Sequence, residues 1–416
     1  MKNSIKGAIF ISLVVQGAGS FVPLLTVVAL ARIAGPDIQG VFSTFKTWSD
    51  LVCSFIIFGF PQAFVYLINK RLSTQSHLLN VSILYATASA FIVVPIAAIS
   101  IKSGYNILPD ERNIWIYSFL LTGGIWSIVV NKLVRAIYLT IDDGFVFSII
   151  TSAPAFFLLA TMVAAVEHGG FDYDIAFFVS GILTCLATGI WMKRIIADDP
   201  KYEFKVSSIP KRALTEQSVH AFLQSISVTL QPVLTIYLIR AHGGNIIDIA
   251  FFSTSTIVLV SVNVLFGLIS PILFNRWSKN IDLSVFYTIL KFDYILSFSF
   301  LFIGLLSTIL YQYIVPFVFG ENYGASVPAF VIISFAMAPV AFTRVIYPAV
   351  HAAGRPQDNT ASCAIRLSSS IALQLILSLG GMPPLISAVW AWVLAEWLAA
   401  IYSTIAANRM HRWVIE

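Results

Sequence analysis

Charge is what this sequence has least of. Only 11% of its residues are Asp, Glu, Lys or Arg, against about a quarter in soluble domains. With 58% of the chain hydrophobic, too little polar surface remains to coat a water-soluble globule. Cysteine is nearly absent. Cys53, Cys185 and Cys363 are odd in number, far apart, and each lies inside an apolar run. That excludes a disulfide framework and a zinc site and leaves small core residues. Signatures of soluble enzymes are missing as well. There is no P-loop, so ATP hydrolysis by this chain is not expected, and there is no H-E-x-x-H. Gly17-Ala-Gly19 lacks the third glycine and the preceding strand of a dinucleotide loop. Ser43-Thr-Phe-Lys46 imitates S-x-x-K without its companion motifs, inside an apolar run. Short apolar/polar alternation is absent, which excludes a β-barrel. No cofactor, metal or catalytic residue is expected.

What the chain has instead is a series of long, nearly uncharged apolar runs, each able to cross about 30 Å of hydrocarbon as a helix. The reading is an all-α polytopic membrane protein with twelve transmembrane helices. The first run, from about Ile9 to Leu30, is too long for a signal-peptide core and further spans follow at once, so it is expected to be retained. The second covers roughly Ile38 to Ile68, the ninth Leu283 to Ile314, and the tenth Ser326 to Val350. The last two run from about Asn359 to Leu379 and from Leu385 to Ala407. The longest polar segment lies at mid-chain. The expected division is residues 1–197 as one six-helix bundle, 198–212 as a cytoplasmic linker, and 213–416 as a second bundle. On this topology Lys and Arg favour one side by about four to one, which places both termini in the cytoplasm. The net charge of +5 then reflects positive-inside topology, not nucleic acid.

The chain also repeats itself. Pro23-Leu-Leu-Thr26, leading to Arg32 and Gly35, returns as Pro232-Val-Leu-Thr235, leading to Arg240 and Gly243, half of the 416-residue length later. Arg135-Ala-Ile-Tyr138 returns as Arg344-Val-Ile-Tyr347 at nearly the same offset. Two echoes at one offset point to a duplicated chain. Six spans per half is an even number, so the repeats are expected to be parallel, related by an axis along the membrane normal, with a substrate path between them.

Three segments carry a resemblance: Ala29-Leu-Ala-Arg-Ile-Ala-Gly-Pro36 with Gly40-Val-Phe42, Phe58-Gly-Phe-Pro61, and Phe319-Gly-Glu-Asn-Tyr323. In their order and spacing the chain resembles the polysaccharide flippases of the MOP superfamily, most closely the O-antigen (Wzx-type) branch. The resemblance implies a V-shaped pair of six-helix bundles around a central cavity, in a bacterial inner membrane. It implies a substrate of oligosaccharide on undecaprenyl pyrophosphate, moved from the cytoplasmic to the periplasmic leaflet. Membrane lipids and proteins that polymerise the glycan or set its chain length are the other partners implied. A multidrug antiporter of the same superfamily is the first alternative. A membrane glycan polymerase or ligase is the second, disfavoured by the short outer loops. With no P-loop present, an ion gradient is the expected energy source.

Charged and amide groups inside spans need a partner, a wet cavity or a function. Lys46 and Asp50 share one helix face, either as a self-neutralising pair or as a cavity pair in which Lys46 attracts phosphate and Asp50 exchanges a proton. Arg135 and Arg344 suit a pyrophosphate or snorkel to the interface. Arg32 and Arg240 are expected to be structural, as cations at helix C-termini before a stop glycine. Glu216 is expected to serve the N-terminus of its helix, while His220, one turn deeper, is a coupling candidate. Glu396 has no charge three or four residues away. Counted depth pairs it with Arg366 on the neighbouring helix, as a bridge or as a proton-coupling carboxylate. Gln16 and Gln224, repeat partners, either bind sugar hydroxyls or bond helix to helix.

Overall fold

The computed structural model of the chain describes residues 5–105, 114–140, 144–167, 173–197, 211–260, 262–263, 283–352 and 355–415. Every regular element among them is a helix. The early elements are α1 (Ile5–Ile57), α2 (Phe60–Asn69), α3 (Gln75–Tyr105), α4 (Ile114–Thr140), α5 (Gly144–Glu167) and α6 (Tyr173–Ala197). The later ones are α7 (Lys211–Ala241), α8 (Ile246–Ser255), α9 (Leu283–Phe319), a 3-10 turn (Glu321–Ser326), α10 (Val327–Ser334), α11 (Met337–Ala352), α12 (Pro356–Leu379) and α13 (Pro384–Ile415). Among the described residues nine helices are long and apolar enough to cross a membrane, or ten if the bent pair around Phe335 counts as one span. This is a multi-pass membrane protein. Most of the mid-chain linker, residues 198–210, and the latter part of the eighth span, expected at about Ile247 to Phe274, lie outside the described residues.

Proline and glycine set the breaks. The first two expected spans both lie in α1, which bends at Gly35 (φ 79°, ψ 177°). A side chain rarely adopts that backbone, and the glycine does so freely. The second span is not continuous to Ile68 as expected. It stops at Ile57 and restarts as α2 after Phe58 (φ 47°) and Gly59 (φ 71°). Pro61 supplies the reason, because its ring clashes with the carbonyl four residues back, at Ile57. Gly59 also lies against the Ser218 backbone, where a Cβ would stand 2.3 Å from the carbonyl oxygen. The tenth span is likewise broken. It comprises the 3-10 turn with α10, then α11, bent by 48°. Pro339 cannot donate to Phe335, so the helix ends at Ser334, and Trp397 Nε1 donates to the freed Phe335 carbonyl at 3.0 Å.

The chain forms two compact units. One comprises residues 1–26 and 48–223. Hydrocarbon gives its helices no hydrophobic reason to associate, so small residues and buried hydrogen bonds hold them. A Cβ on Gly181 of α6 would stand 2.8 Å from the Gly124 Cα of α4. Asn131 Nδ2 joins three helices by donating to the Ile150 carbonyl of α5 (3.2 Å) and to Thr188 Oγ1 of α6 (3.0 Å). Cys53 is buried, Cys185 partly so, and neither is in a disulfide.

The other unit comprises residues 27–47 and 224–416. Asn245 caps α8 reciprocally with Asp248, and both bonds are 2.9 Å. Gly40 backs onto the start of α8, where a Cβ would meet the Ile246 carbonyl at 2.3 Å. The Phe319–Tyr323 segment turns at Gly320 (φ 103°) and buries Tyr323 completely, against the rings of Phe251 and Phe319. Phe298, Phe302, Ile309, Tyr313 and Phe317 form an exposed apolar stripe along α9, suited to lipid.

Candidate functional site

Six helices and the segment that follows α8, all in the second unit, line a cavity of about 330 Å³. Helical spacing brings the polar groups to it. Ser43, Lys46 and Thr47 on α1, Ser253 and Thr256 with Asn263 beyond α8, and Trp392 and Glu396 on α13 each recur at intervals of three, four or seven residues on one helix face. Gln231 comes from α7, Arg344 from α11 and Arg366 from α12. Pro232 of α7 also lies here, and its missing N–H releases the Val228 carbonyl at the cavity wall.

The charges are three cations, Lys46, Arg344 and Arg366, against one carboxylate, Glu396. Arg344 Nε donates to Asn263 Oδ1 at 2.6 Å, which fixes the plane of the guanidinium. Arg366 Nη1 lies 3.4 Å from Glu396 Oε1, with both side chains buried. That single bond leaves much unmet. Arg366 Nε and Nη2, Gln231 Nε2 and Trp392 Nε1 are buried donors without a partner, and Glu396 Oε2 is an acceptor in the same condition. Buried polar groups nearly always find partners, so unmet donors around one cavity mark where a ligand or water is accommodated. Four unmet donors against one acceptor, with an excess of positive charge, suit an oxyanion.

A polar layer holds these helices in place. Tyr347 OH donates to Ser362 Oγ at 2.8 Å, and Asn359 Nδ2 donates to the Tyr347 carbonyl at 2.7 Å. Ser362 Oγ reaches the Ala399 carbonyl at 3.0 Å, joining α11, α12 and α13. Two glutamines tie α7 to α12. Gln224 Nε2 donates to the Pro356 carbonyl and to Thr360 Oγ1, and Gln374 Nε2 to the Thr235 carbonyl. Gln224 is thus engaged in helix-to-helix bonding.

Of the residues singled out in the sequence, the cavity gathers Lys46, Arg344, Arg366 and Glu396. It does not gather Asp50, Arg135 or His220, which belong to the first unit; the division between units falls between Lys46 and Asp50. Arg135 lies over the Phe147 ring at 5.9 Å. Arg32 serves a helix other than its own, a tertiary contact that local sequence cannot reveal. Its Nε donates to the Val318 carbonyl at 2.8 Å and its Nη2 to the Phe317 carbonyl, at the C-terminus of α9. Arg240 is exposed in the last turn of α7, which closes through Gly243 (φ 88°) with bonds from Gly243 to Arg240 and from Gly244 to Ile239. The side chains of Gln16 and Glu216 lie outside the described residues. Gln231, Asn263 and Trp392 were not foreseen, although Gln231 stands directly before the repeated Pro232-x-L-T segment. Among the described residues no cluster of His, Cys, Asp and Glu could hold a metal ion.

No protein-family model matches the chain, and no curated protein matches it in sequence. Solved structures do match in fold. A multidrug resistance MATE family transporter of the MOP superfamily, in its outward-facing conformation, aligns over 99% of this chain and 97% of its own with a TM-score of 0.73 at 13% identity. The lipid II flippase MurJ, in an inward closed conformation, aligns over 96% and 87% with a TM-score of 0.74 at 14% identity. A MOP superfamily transporter from Pyrococcus furiosus, described as having a binding pocket of reverse polarity that suggests a different function, aligns over 98% and 96% with a TM-score of 0.72 at 12% identity. The chain has the fold of these transporters.

Proposed function

We infer that this protein is a flippase. Its cargo is an undecaprenyl-pyrophosphate-linked oligosaccharide of the O-antigen repeat-unit type, moved from the cytoplasmic to the periplasmic leaflet by alternating access and driven by an ion gradient. The observation that carries this reading is the cavity of Lys46, Arg344 and Arg366, where unmet donors outnumber unmet acceptors. Arg presents paired donors matched to phosphate oxygens, and Lys adds a point charge. About 330 Å³ lies at the small end of ligand sites and suits a charged head group better than a whole oligosaccharide. Fold alone does not set the cargo, since one fold hosts many functions and the site decides. A lipid II flippase and multidrug transporters share this architecture. Export of organic cations, the rival reading, rests on that shared fold, and three cations around the cavity oppose it.

The test is glycan complementation in a strain that lacks its own flippase, supplied with a panel of donor repeat units. Surface glycan restored with at least one donor, and lost with Lys46→Ala plus Arg344→Ala at normal protein level, is the expected result. Drug resistance gained in a sensitive host, with no glycan rescued by any donor, overturns it.

A further inference from the structure

One buried carboxylate does not line the cavity. Asp293, in α9, is fully buried, and neither carboxylate oxygen has a hydrogen-bond partner. Ser297, one turn further along the same side of the helix, has a buried hydroxyl that is also unpartnered. Three oxygens therefore lie close together with no donor bonded to them.

Among the described residues, no titratable neighbour on the elements packed against α9 is bonded to Asp293. On α9, Lys291 is exposed, and Tyr294 has its ring 5.5 Å from the Phe342 ring of α11. Tyr311 lies more than four turns away along α9. On α11, which packs against α9, the titratable groups are Arg344, bonded to Asn263, Tyr347, bonded to Ser362, and His351. On the 3-10 turn they are Glu321 and Tyr323. None of these is bonded to Asp293.

An ionised carboxylate buried with no donor and no counter-charge is among the costliest arrangements inside a membrane protein, and a bound proton removes that charge. A hard metal ion would need about six oxygen ligands, whereas a proton needs one. The coupling candidates named from sequence are otherwise engaged. Asp50 and His220 each have an interaction partner, and Glu396 is paired with Arg366.

We propose that Asp293 is the proton-carrying group of the transport cycle, holding its proton in the conformation described here and yielding it when the cycle wets its surroundings. In that step the carboxyl O–H bond breaks, the electron pair stays on Asp293, and the proton passes to water. The coupling role rests on the transport reading above; the protonated state rests on burial and missing partners.

Labelling and infrared spectra test the protonated state, and glycan export tests the coupling role. The purified full-length protein is treated with dicyclohexylcarbodiimide, which modifies protonated carboxyls in apolar surroundings, and the adduct is located by mass spectrometry. Infrared spectra compare wild type with Asp293→Asn. A label on Asp293 and a protonated-carboxyl band lost in the variant are expected. No label on Asp293, or an unchanged band, overturns the proposal whatever the protein transports. In the complementing strain, Asp293→Asn is expected to cut glycan export at least tenfold at normal protein level, with partial recovery in Asp293→Glu. Wild-type export by Asp293→Asn overturns the coupling role. If wild type restores no glycan with any donor, the transport reading falls and takes the coupling role with it, while the label and the band still decide whether Asp293 holds a proton.

Discussion

Arg366 and Glu396 meet through one nitrogen and one oxygen, Nη1 to Oε1 at 3.4 Å, and are left 5% and 3% exposed. Full satisfaction of a buried pair needs several more bonds than this. The cavity beside it is where those bonds are to be completed, so the pair both ties α12 to α13 and presents donors to whatever enters.

Breaking the pair from one side leaves a buried charge uncompensated. Glu396→Gln is therefore expected to destabilise the purified protein by about 3 kcal/mol, the lower end for removing one partner of a buried pair. Arg366→Gln/Glu396→Gln together is expected to cost less than the sum of the single changes. Thermal unfolding in detergent measures all three. Reduced protein level with normal transport per molecule marks Glu396 as a bridge; normal level with lost transport marks it as a coupling carboxylate.

Arg344 is held in the cavity wall by Asn263 at 2.6 Å. Lysine keeps the charge but loses the planar fork. Arg344→Lys is expected to weaken binding of inorganic pyrophosphate about tenfold, equivalent to about 1.4 kcal/mol. Asn263→Leu, which frees the guanidinium to swing, is expected to weaken it by a smaller factor. Calorimetric titration of the purified protein reads both. Unchanged affinity in Arg344→Lys assigns the anion to another place.

Trp397 Nε1 closes the break at Phe335. In hydrocarbon no water replaces a lost donor. Trp397→Phe keeps the ring and removes the N–H, and it is expected to cost about 1–3 kcal/mol, the penalty of an unmet carbonyl. Pro339→Ala restores a backbone donor to that carbonyl and is expected to recover part of the loss in the double variant. Melting temperatures of the four proteins check this.

Gly181 and Gly189 share α6 but differ in surroundings. A Cβ at Gly181 would meet the Gly124 Cα at 2.8 Å, whereas at Gly189 it would meet nothing within 4 Å. Gly181→Ala is expected to destabilise by about 1–3 kcal/mol through overpacking. Gly189→Ala is expected to be neutral or to stabilise by up to about 1 kcal/mol, the helix propensity gained. Equal melting temperatures for the two variants would show that α4 and α6 are not in close contact.

The membrane-crossing helices were legible because long apolar runs and terminal polar clusters are local properties. Gly35 was legible as a stop because its neighbours offer no competing signal. The breaks at Ile57 and Ser334 were hidden inside apolar runs, where a single proline four residues on decides them. Arg366 and Glu396 could be matched by counting depth along adjacent helices. Asn263 beside Arg344 could not, because the residues lie on non-adjacent stretches whose register depends on packing. Asp293 escaped notice because Lys291, two positions earlier, made that end of the run look like a wetted terminus; its burial is a tertiary fact.

The second unit draws residues 27–47, with Arg32, Gly40 and Lys46 among them, from early in the chain and the rest from beyond Leu223. During synthesis this early piece waits, without its permanent neighbours, until most of the chain has left the ribosome. A separately expressed fragment of residues 224–416 would lack the guanidinium that seals the end of α9 and one cation of its own cavity. Assembly of this half is therefore bound to arrive last, and any nick between residues 47 and 224 that let the early piece drift away would unmake it.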